Sequence, residues 1–250
     1  MRLAFAIALA FAAATTVVSS SALASFTPIN APYFANEDAR NQILSTVYGG
    51  TFAPTGPGSL DYTNGTVTAV RVEDIYSVPG ALPINDPYSN GSLDDQLWQA
   101  NFKLASAEAI FGSFNQEFGY FDGASGGTYT KLFNATGWAY GVTGAADISS
   151  LSGHTLRWAR GGESRVFSSK NSDNPDGRDH MVTYNIRGLN GNQLVWLLMW
   201  EDKLPGEPYA DFDYNDLVVQ ITATPVPEPA AFSAMLGLGA LSTLRRRRTK

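Results

Sequence analysis

Short alternations of apolar and polar residues fill most of the chain between its two ends, and they predict β-strands. Turn-forming Gly, Asn and Asp residues separate these stretches at close intervals, which is typical of antiparallel sheets. The predicted strands are Thr66–Val72, a stretch in which Trp98, Ala100, Phe102 and Leu104 share one face, Tyr129–Phe133, Thr155–Ala159, Arg165–Ser169, Met181–Ile186, Leu194–Trp200 and Leu217–Thr222. The pattern favours an all-β fold, namely an antiparallel β-sandwich of jelly-roll-like type.

Two stretches depart from this alternation. Leu194–Trp200 is apolar at every position, so we predict a central strand that is buried on both faces. One short helix is predicted near the N-terminus. Its signals are a capping Asn36, the acidic Glu37 and Asp38 of the first turn, the apolar stripe of Ile43, Leu44 and Val47, and the terminating Gly49 and Gly50.

The N-terminus has the three parts of a secretory signal peptide. Arg2 precedes an apolar stretch over residues 3–18, and the small residues Ala22 and Ala24 suit a signal peptidase. We therefore expect residues 1–24 to be removed. A membrane anchor is the alternative, and the shortness of the apolar stretch argues against it.

The C-terminus carries a second short apolar stretch. Residues 230–244 span 15 positions, whereas a helix needs about 20 residues to cross a bilayer. The flanking residues are Pro227, Glu228 and Pro229 before the stretch and Arg245, Arg246, Arg247 and Arg248 after it. Such an arginine cluster keeps its end of the segment on the cytoplasmic side, so the segment is a marginal or transient anchor.

This tail resembles the PEP-CTERM sorting signal of Gram-negative bacteria, with its three parts in the same order over residues 226–250. The resemblance implies transient insertion in the inner membrane, processing by an exosortase-type membrane protease, and delivery to the cell surface or extracellular matrix. The predicted organisation is a signal peptide over residues 1–24, one β-sandwich domain over residues 25–224 and a sorting signal with a hydrophobic helix over residues 225–250.

The composition excludes several functions. Only 16% of the residues are charged, against about 25% in ordinary soluble domains. The chain has no Cys, which excludes disulfides, thiolate zinc sites and cysteine nucleophiles. The formal charge is −6 for the whole chain and −11 for residues 25–224, which hold 11 basic and 22 acidic side chains. Such an acidic body argues against a nucleic-acid partner.

The most concentrated candidate chemistry lies in residues 201–216, which include six acidic side chains. In extended backbone, alternate side chains share a face, so Asp211, Asp213 and Asn215 would present their oxygens together. Carboxylates at such density repel one another unless a cation compensates, and calcium takes six to eight oxygen ligands. We predict a calcium site whose candidate ligands are Asp179, Glu201, Asp202, Asp211, Asp213, Asn215 and Asp216.

An array of Asx turns is the alternative, because Asp and Asn also bond local backbone amides, and the spacing is not that of an EF-hand. A second polar loop precedes the strand at Met181. Asp179 and His180 of this loop join the same site if that strand neighbours Leu194–Trp200, whereas Asp173 and Asp176 are more simply explained as residues of a solvated loop.

This part of the chain resembles a domain of unknown function common in bacterial secreted and surface proteins. The resemblance rests on Asp179-His180, Trp200-Glu201-Asp202 and the run Asp213 to Val219, in this order within residues 170–223. It implies a β-sandwich, a structural or metal-binding role for the acidic residues, and no known catalytic activity. Lys203 is a departure, since its cation would compete with a metal if the side chain pointed inward.

Enzyme signatures are weak. Gly123–Gly127 matches the pattern G-x-S-x-G, and Asp147 and His154 follow in hydrolase order, but a strand and not a helix is predicted after it, which favours a hairpin loop. The two histidines are too few for a His-based zinc centre. Paired carboxylates for glycoside hydrolysis stay open, because their separation depends on the fold. We predict a protein without catalytic residues.

Aromatic residues leave a binding function open. The rings that could stack on sugars, from a Gly-rich region, are those of Tyr120, Phe121, Tyr129, Trp138 and Tyr140, although most aromatic side chains fill a core.

The sequence therefore predicts an exported, non-enzymatic protein of the cell surface or exopolysaccharide matrix, with a structural calcium ion. Its expected partners are the export machinery, an exosortase-type protease and extracellular polysaccharide. A carbohydrate- or matrix-binding module is the first alternative and a secreted hydrolase the second.

Overall fold

The computed structural model describes residues 26–72, 82–84, 93–112, 115–162, 165–189, 191 and 193–225. These residues form one α-helix, fourteen strands and two short 3₁₀ turns. The helix is α1 (Arg40–Tyr48), and the turns are Ser149–Leu151 and Asn171–Asp173. The strands are β1 (Ala53–Pro54), β2 (Tyr62–Thr63), β3 (Thr68–Arg71), β4 (Leu82–Ile84), β5 (Leu93–Trp98), β6 (Asn101–Ala109), β7 (Gln116–Asp122), β8 (Thr130–Ala135), β9 (Ala145–Asp147), β10 (Leu156–Gly162), β11 (Arg165–Ser168), β12 (Met181–Arg187), β13 (Leu194–Trp200) and β14 (Leu217–Thr224).

The predicted signal peptide and sorting signal lie outside the described residues, apart from Pro225. Within the described ranges, no helix is both long and apolar enough to cross a membrane.

The strands form two sheets. The larger sheet has the order β1-β2-β3-β12-β13-β14-β6-β9, and the smaller has the order β4-β5-β10-β7-β8, with β11 paired to β10. Neighbouring strands are antiparallel except for the parallel pair β4 and β5. The prediction of a mostly β protein with antiparallel sheets and one short helix is therefore confirmed.

The larger core lies between the two sheets. Trp98 of β5 contacts Trp158 of β10, with ring centroids 6.2 Å apart, and Trp196 of β13, at 5.6 Å. All three rings are fully buried, and burial of such large apolar surfaces is the main force that holds two sheets face to face.

A second core covers the opposite face of the larger sheet. Ile43 and Leu44 of α1 join Leu197, Met199 and Val218 in one buried cluster. Along β13 the side chains alternate between this cluster and the inter-sheet core. The prediction that Leu194–Trp200 is a central strand buried on both faces is confirmed.

The prediction that Trp98, Ala100, Phe102 and Leu104 share one face of a single strand is wrong. Trp98 ends β5 in the smaller sheet, whereas Phe102 and Leu104 belong to β6 in the larger sheet, and Leu104 does not share the face of Phe102. Leu104 is 40% exposed, whereas the next residue, Ala105, is fully buried. Phe102 pairs with Ala223 and Leu104 with Thr222, so Lys103 is an extra residue in β6. A β-bulge of this kind shifts the side-chain alternation by one position.

The helix begins later than predicted. Its N-cap is Ala39 and not Asn36, so Glu37 and Asp38 precede the helix instead of forming its first turn. The Gln42 side chain satisfies the first backbone donor, because Oε1 accepts from the Ala39 N–H at 2.9 Å. The helix ends before Gly49, as predicted.

Candidate metal centre

The acidic loop, residues 201–216, connects β13 to β14 at one end of the larger sheet. Trp200 pairs with Leu217, so these strands are direct antiparallel neighbours and the loop leaves and re-enters the sheet at the same end. Met181, the first residue of β12, pairs with Trp200. The strand that follows Asp179 and His180 is therefore the neighbour that the sequence analysis required.

Carboxylates of this region gather in two clusters. The inner cluster consists of Glu201, Asp202 and Asp216, and the outer cluster consists of Glu37, Asp211 and Asp213. Within each cluster, one oxygen from every residue lies within 4.8 Å of the others. Five of the seven predicted ligands thus fall in these clusters. Glu37, which the sequence predicts at a helix terminus, is an addition.

Glu201 is the most deeply buried member of the inner cluster. Its side chain has no solvent exposure. Oε1 accepts a hydrogen bond from the Lys203 N–H at 3.0 Å, whereas Oε2 has no hydrogen-bond partner among the described residues. A buried carboxylate oxygen without a partner is costly, so a proton or a cation is needed at this position.

Asp202 is compensated within the protein. Its Oδ2 accepts hydrogen bonds from Arg160 Nη2 at 3.0 Å and from Gln116 Nε2 at 2.9 Å. Arg160 and Gln116 are also bonded to each other. Lys203 Nζ lies 3.8 Å from Asp202 Oδ1, so this lysine does point toward the acidic group. The cation of Lys203 therefore acts on Asp202.

Asp216 closes the inner cluster against the backbone of the loop start. Its Oδ2 accepts from the Asp202 N–H at 2.6 Å. On the other side lies Gly112, where an added Cβ would approach Asp216 Oδ1 to 2.6 Å and Asp202 Oδ2 to 2.9 Å. Only a residue without a side chain leaves room for both carboxylates here.

The outer cluster is assembled from the two ends of the described chain. Glu37 comes from the segment before α1, and Asp211 and Asp213 come from the acidic loop. The Tyr33 N–H donates to Asp211 Oδ2 at 3.0 Å, and the Asn30 N–H donates to the Phe212 carbonyl at 3.0 Å. The N-terminal segment therefore holds the acidic loop in place and contributes a carboxylate to the outer cluster.

The charges of the two clusters act on each other. Burial raises the pKa of Glu201 to about 8, and the charges of Asp211, Asp202 and Asp213 contribute to the rise. Burial and the charge of Asp211 raise the pKa of Asp213 to about 7. Glu201 thus responds to the carboxylates of the outer cluster as well as to its own neighbour, so both clusters belong to one electrostatic site.

Asp216 and Glu37 follow the same rule. Burial and the charges of Asp202 and Glu201 raise the pKa of Asp216 well above its usual range. The pKa of Glu37 is raised by burial and by the charge of Asp211. In every case the site disfavours the accumulation of negative charge, which a divalent cation relieves.

The prediction that the backbone of residues 211–215 is extended is wrong. Phe212 and Tyr214 have left-handed φ values of 55° and 59°. Asp213 and Asn215 therefore do not share a face through strand alternation. Asn215 instead donates from Nδ2 to the Asp38 carbonyl at 3.3 Å and to Asp213 Oδ2 at 2.5 Å.

Asp179 lies apart from both clusters. Its Oδ2 accepts from Thr27 Oγ1 at 2.9 Å, and its Oδ1 accepts from the Met181 N–H at 3.0 Å. The second bond is an Asx-type turn, and Asp213 makes a similar one with the Asn215 N–H at 3.1 Å. The alternative that the sequence left open thus describes part of the local bonding at these two residues.

The polar loop before β12 is not simply solvated. Asp173 forms an ion pair with the buried Arg157, and both carboxylate oxygens of Asp176 lie 3.2 Å from Nε2 of the buried His180. Asp173 is exposed and Asp176 is partly exposed, so the interpretation of a solvated loop describes their position but not their bonding. Buried basic partners, which the sequence pattern does not reveal, order both side chains.

The G-x-S-x-G match lies in the hairpin loop between β7 and β8. The Arg157 guanidinium donates to the Gly123 carbonyl at 3.0 Å and also bonds the Gly126 carbonyl, so it braces this loop. A nucleophile elbow needs a strand followed by a helix, whereas a strand follows here.

The predicted sugar-stacking rings are mostly packed. Trp138 is 43% exposed. Tyr120 packs against the inter-sheet core, the rings of Phe121 and Tyr129 contact each other with centroids 5.9 Å apart, and Tyr140 donates its hydroxyl to Asp38 at 2.6 Å. Among the residues that the structure describes, the most exposed rings lie elsewhere, at Tyr33 and Tyr209, with 67% and 66% exposure.

Comparison with known proteins gives one family. No curated protein matches the chain. Residues 133–224 match the model of a family described as a domain of unknown function, DUF4114. The match agrees with the expected resemblance over this part of the chain. It contains Asp179 and the acidic loop, whereas Glu37, Gly112 and Gln116 precede it.

Proposed function

We propose that the protein is an exported, non-enzymatic β-sandwich whose acidic loop binds a calcium ion, and that this ion orders the loop. The single observation that carries the proposal is Glu201, which is fully buried and has one carboxylate oxygen without a hydrogen-bond partner among the described residues. The ion acts structurally, because a ligand that binds only the folded state stabilises that state.

The proposed ion lies between Glu201 and the outer cluster. Arg160 and Lys203 already offset the charge of Asp202, so this carboxylate has little need of a further cation, whereas Glu201 has no such partner. Glu37, Asp211 and Asp213 each offer a carboxylate oxygen within 4.8 Å of the other two, and carboxylate oxygens are the ligands that calcium prefers. Glu201 responds to the charges of Asp211 and Asp213 from the inner cluster. Asp213, Asn215 and Asp216 support the site through the bonds that shape the loop.

The test is a thermal melt of residues 25–224 with calcium and with a chelator, on the wild type and on Glu201→Gln. In the wild type, calcium at a hundredfold excess over its Kd should add about 2.7 kcal/mol to the free energy of unfolding. Glu201→Gln should melt higher than the wild type in chelator, since a neutral amide replaces a carboxyl that is costly to ionise, and it should lose the calcium response.

Asp122→Asn is the matched control. It also removes one negative charge, but from a side chain that is 67% exposed and outside both clusters. This variant should keep the full calcium response. An unchanged midpoint in wild-type protein with calcium would contradict the proposal, and so would an equal response in Glu201→Gln.

The export route is part of the same proposal. It rests on the residue pattern of the ends, with removal of residues 1–24, transient membrane insertion of residues 230–244 and processing near Pro227-Glu228-Pro229. The jelly-roll-like connectivity of the strands is a separate prediction that does not bear on export. Mass spectrometry of the surface-released protein from a Gram-negative host with an exosortase should find Ser25 as the first residue. Release of the intact tail, or an unchanged result after deletion of residues 225–250, would contradict this route.

A further inference from the structure

Beyond the calcium proposal, we propose that Tyr33, Phe34 and Tyr209 form a binding face for a neutral polysaccharide chain. These three residues, called the aromatic face below, are 67%, 39% and 66% exposed. Tyr33 and Phe34 come from the N-terminal segment and Tyr209 from the acidic loop, so the face exists only where the two segments meet.

The three rings form one cluster. The ring centroids are 4.9 Å apart for Tyr33 and Phe34, 5.5 Å for Phe34 and Tyr209, and 6.3 Å for Tyr33 and Tyr209. Large aromatic rings normally bury 150–250 Å² each in a core. Here they are gathered at the surface, which is the feature of a binding site and not of a packing site.

The backbone holds one ring outward at a cost. Tyr209 has a left-handed φ of 67°, a conformation that costs a bulky side chain about 1–2 kcal/mol. Glycine would adopt it without strain. Contact with the other two rings still leaves Tyr209 66% exposed, so most of this ring is free to contact a molecule outside the protein.

The surroundings fit a neutral sugar chain. The hydroxyls of the exposed Tyr33 and Tyr209 offer hydrogen-bond donors and acceptors to sugar hydroxyls, while the rings suit the apolar faces of pyranoses. The body charge of −11 repels anionic membranes and polyanions. Three rings are also fewer than the roughly 20–30 residues that a stable protein interface uses on each side.

The experiment is affinity electrophoresis of residues 25–224 in native gels that contain hydroxyethyl cellulose, galactomannan or dextran, with alginate as the anionic comparison and with calcium or chelator. The test variant is Tyr209→Gly, because glycine relieves the backbone strain and the variant should fold. Tyr209→Phe keeps the ring, and Leu104→Ala removes an exposed apolar side chain from β6.

At least one neutral polysaccharide should retard the wild type, Tyr209→Phe and Leu104→Ala. Tyr209→Gly should raise the apparent Kd about tenfold and keep the calcium response of its thermal melt. Tyr209→Gly tests the aromatic face, whereas Glu201→Gln tests the calcium site. Failure of one proposal can therefore be distinguished from failure of the other.

Three results would overturn the binding face. The first is free migration of the wild type in all three neutral polysaccharides. The second is retardation by alginate only, which would indicate cation bridging. The third is a dimer in size-exclusion chromatography that Tyr209→Gly converts to a monomer, which would make the face a contact between two copies of this chain.

Discussion

The inner and outer clusters use the same residue types but handle their charge differently. In the inner cluster, Arg160 and Lys203 face Asp202, and burial keeps protons on its partners. In the outer cluster, Glu37 and Asp211 are only partly buried. The inner cluster is thus stabilised mainly by the protein itself, whereas the outer cluster depends on what the solvent supplies. Glu201 connects the two.

Removal of the inner cation should have the largest effect. Arg160→Met removes the nearer cation from the buried Asp202 and leaves only Lys203, 3.8 Å away, and loss of a buried ion-pair partner typically costs about 3–5 kcal/mol. Urea unfolding in chelator measures it. Arg165→Met is the control, since the Arg165–Glu207 pair is about one-third exposed and pairs of this kind contribute about 0–1 kcal/mol. Equal losses in the two variants would remove the distinction between the clusters.

The pH dependence should be the next largest effect. The pKa of Glu201 is raised from 4.5 to about 8 and that of Asp213 from 3.8 to about 7. As pH rises above about 4, the unfolded chain loses these protons before the folded chain does, so the metal-free protein loses stability up to about pH 8. Calcium binding must displace the same protons, so its apparent affinity should rise with pH.

Melts between pH 5 and pH 8 check this prediction. The calcium-induced rise in midpoint should grow several-fold across the range in the wild type. Glu201→Gln should show a flatter midpoint profile in chelator. A calcium response that is constant from pH 5 to pH 8 would mean that the buried carboxyls do not take part in binding.

A side chain added at Gly112, where the backbone approaches the inner cluster, should cause a smaller loss of stability. In Gly112→Ala, the new methyl group meets Asp216 Oδ1 at 2.6 Å, so one carboxylate must move, at about 1–3 kcal/mol. Gly56→Ala is a matched control because nothing lies within 4 Å of its added Cβ. Chemical denaturation compares the two, and a Gly112→Ala variant as stable as the control would refute the tight fit.

Glu37→Gln should have the smallest effect on stability and still report on the outer cluster. The side chain is half-buried, so the metal-free free energy of unfolding should change by less than about 0.5 kcal/mol. Isothermal titration with calcium should nevertheless show an affinity several-fold weaker. If the affinity is unchanged, the ion lies within the inner cluster and the assignment of Glu37 as a ligand is wrong.

The strands that the sequence predicts well are those whose pattern is unambiguous. Leu194–Trp200 is apolar throughout, and the structure has a strand with the same bounds. The face of Leu104 was mispredicted because a bulge at Lys103 has no signature in the alternation of side chains. The two-residue strands β1 and β2 are too short to show any period.

The candidate site is predicted only where its residues are close in sequence. The acidic loop is recognisable in the sequence by its density of carboxylates. Glu37, Arg160 and Gln116 are distant from it in sequence and approach it only in the folded chain, which the local pattern does not encode. Asp179 is a predicted ligand that lies in neither cluster. Its carboxylate accepts a hydrogen bond from Thr27 instead, a long-range contact that the local sequence does not reveal.

The attachment of the N-terminal segment to the acidic loop fixes when this site forms during synthesis. Asn30 bonds the Asp211 carbonyl across a separation of 181 residues. At about 5–20 residues per second, a ribosome needs on the order of ten seconds or more to cover that interval. Until then the N-terminal segment, which carries Glu37, Tyr33 and Phe34, has no acidic loop to contact. The proposed cation site and the aromatic face therefore form late, and a chain truncated before residue 201 has neither.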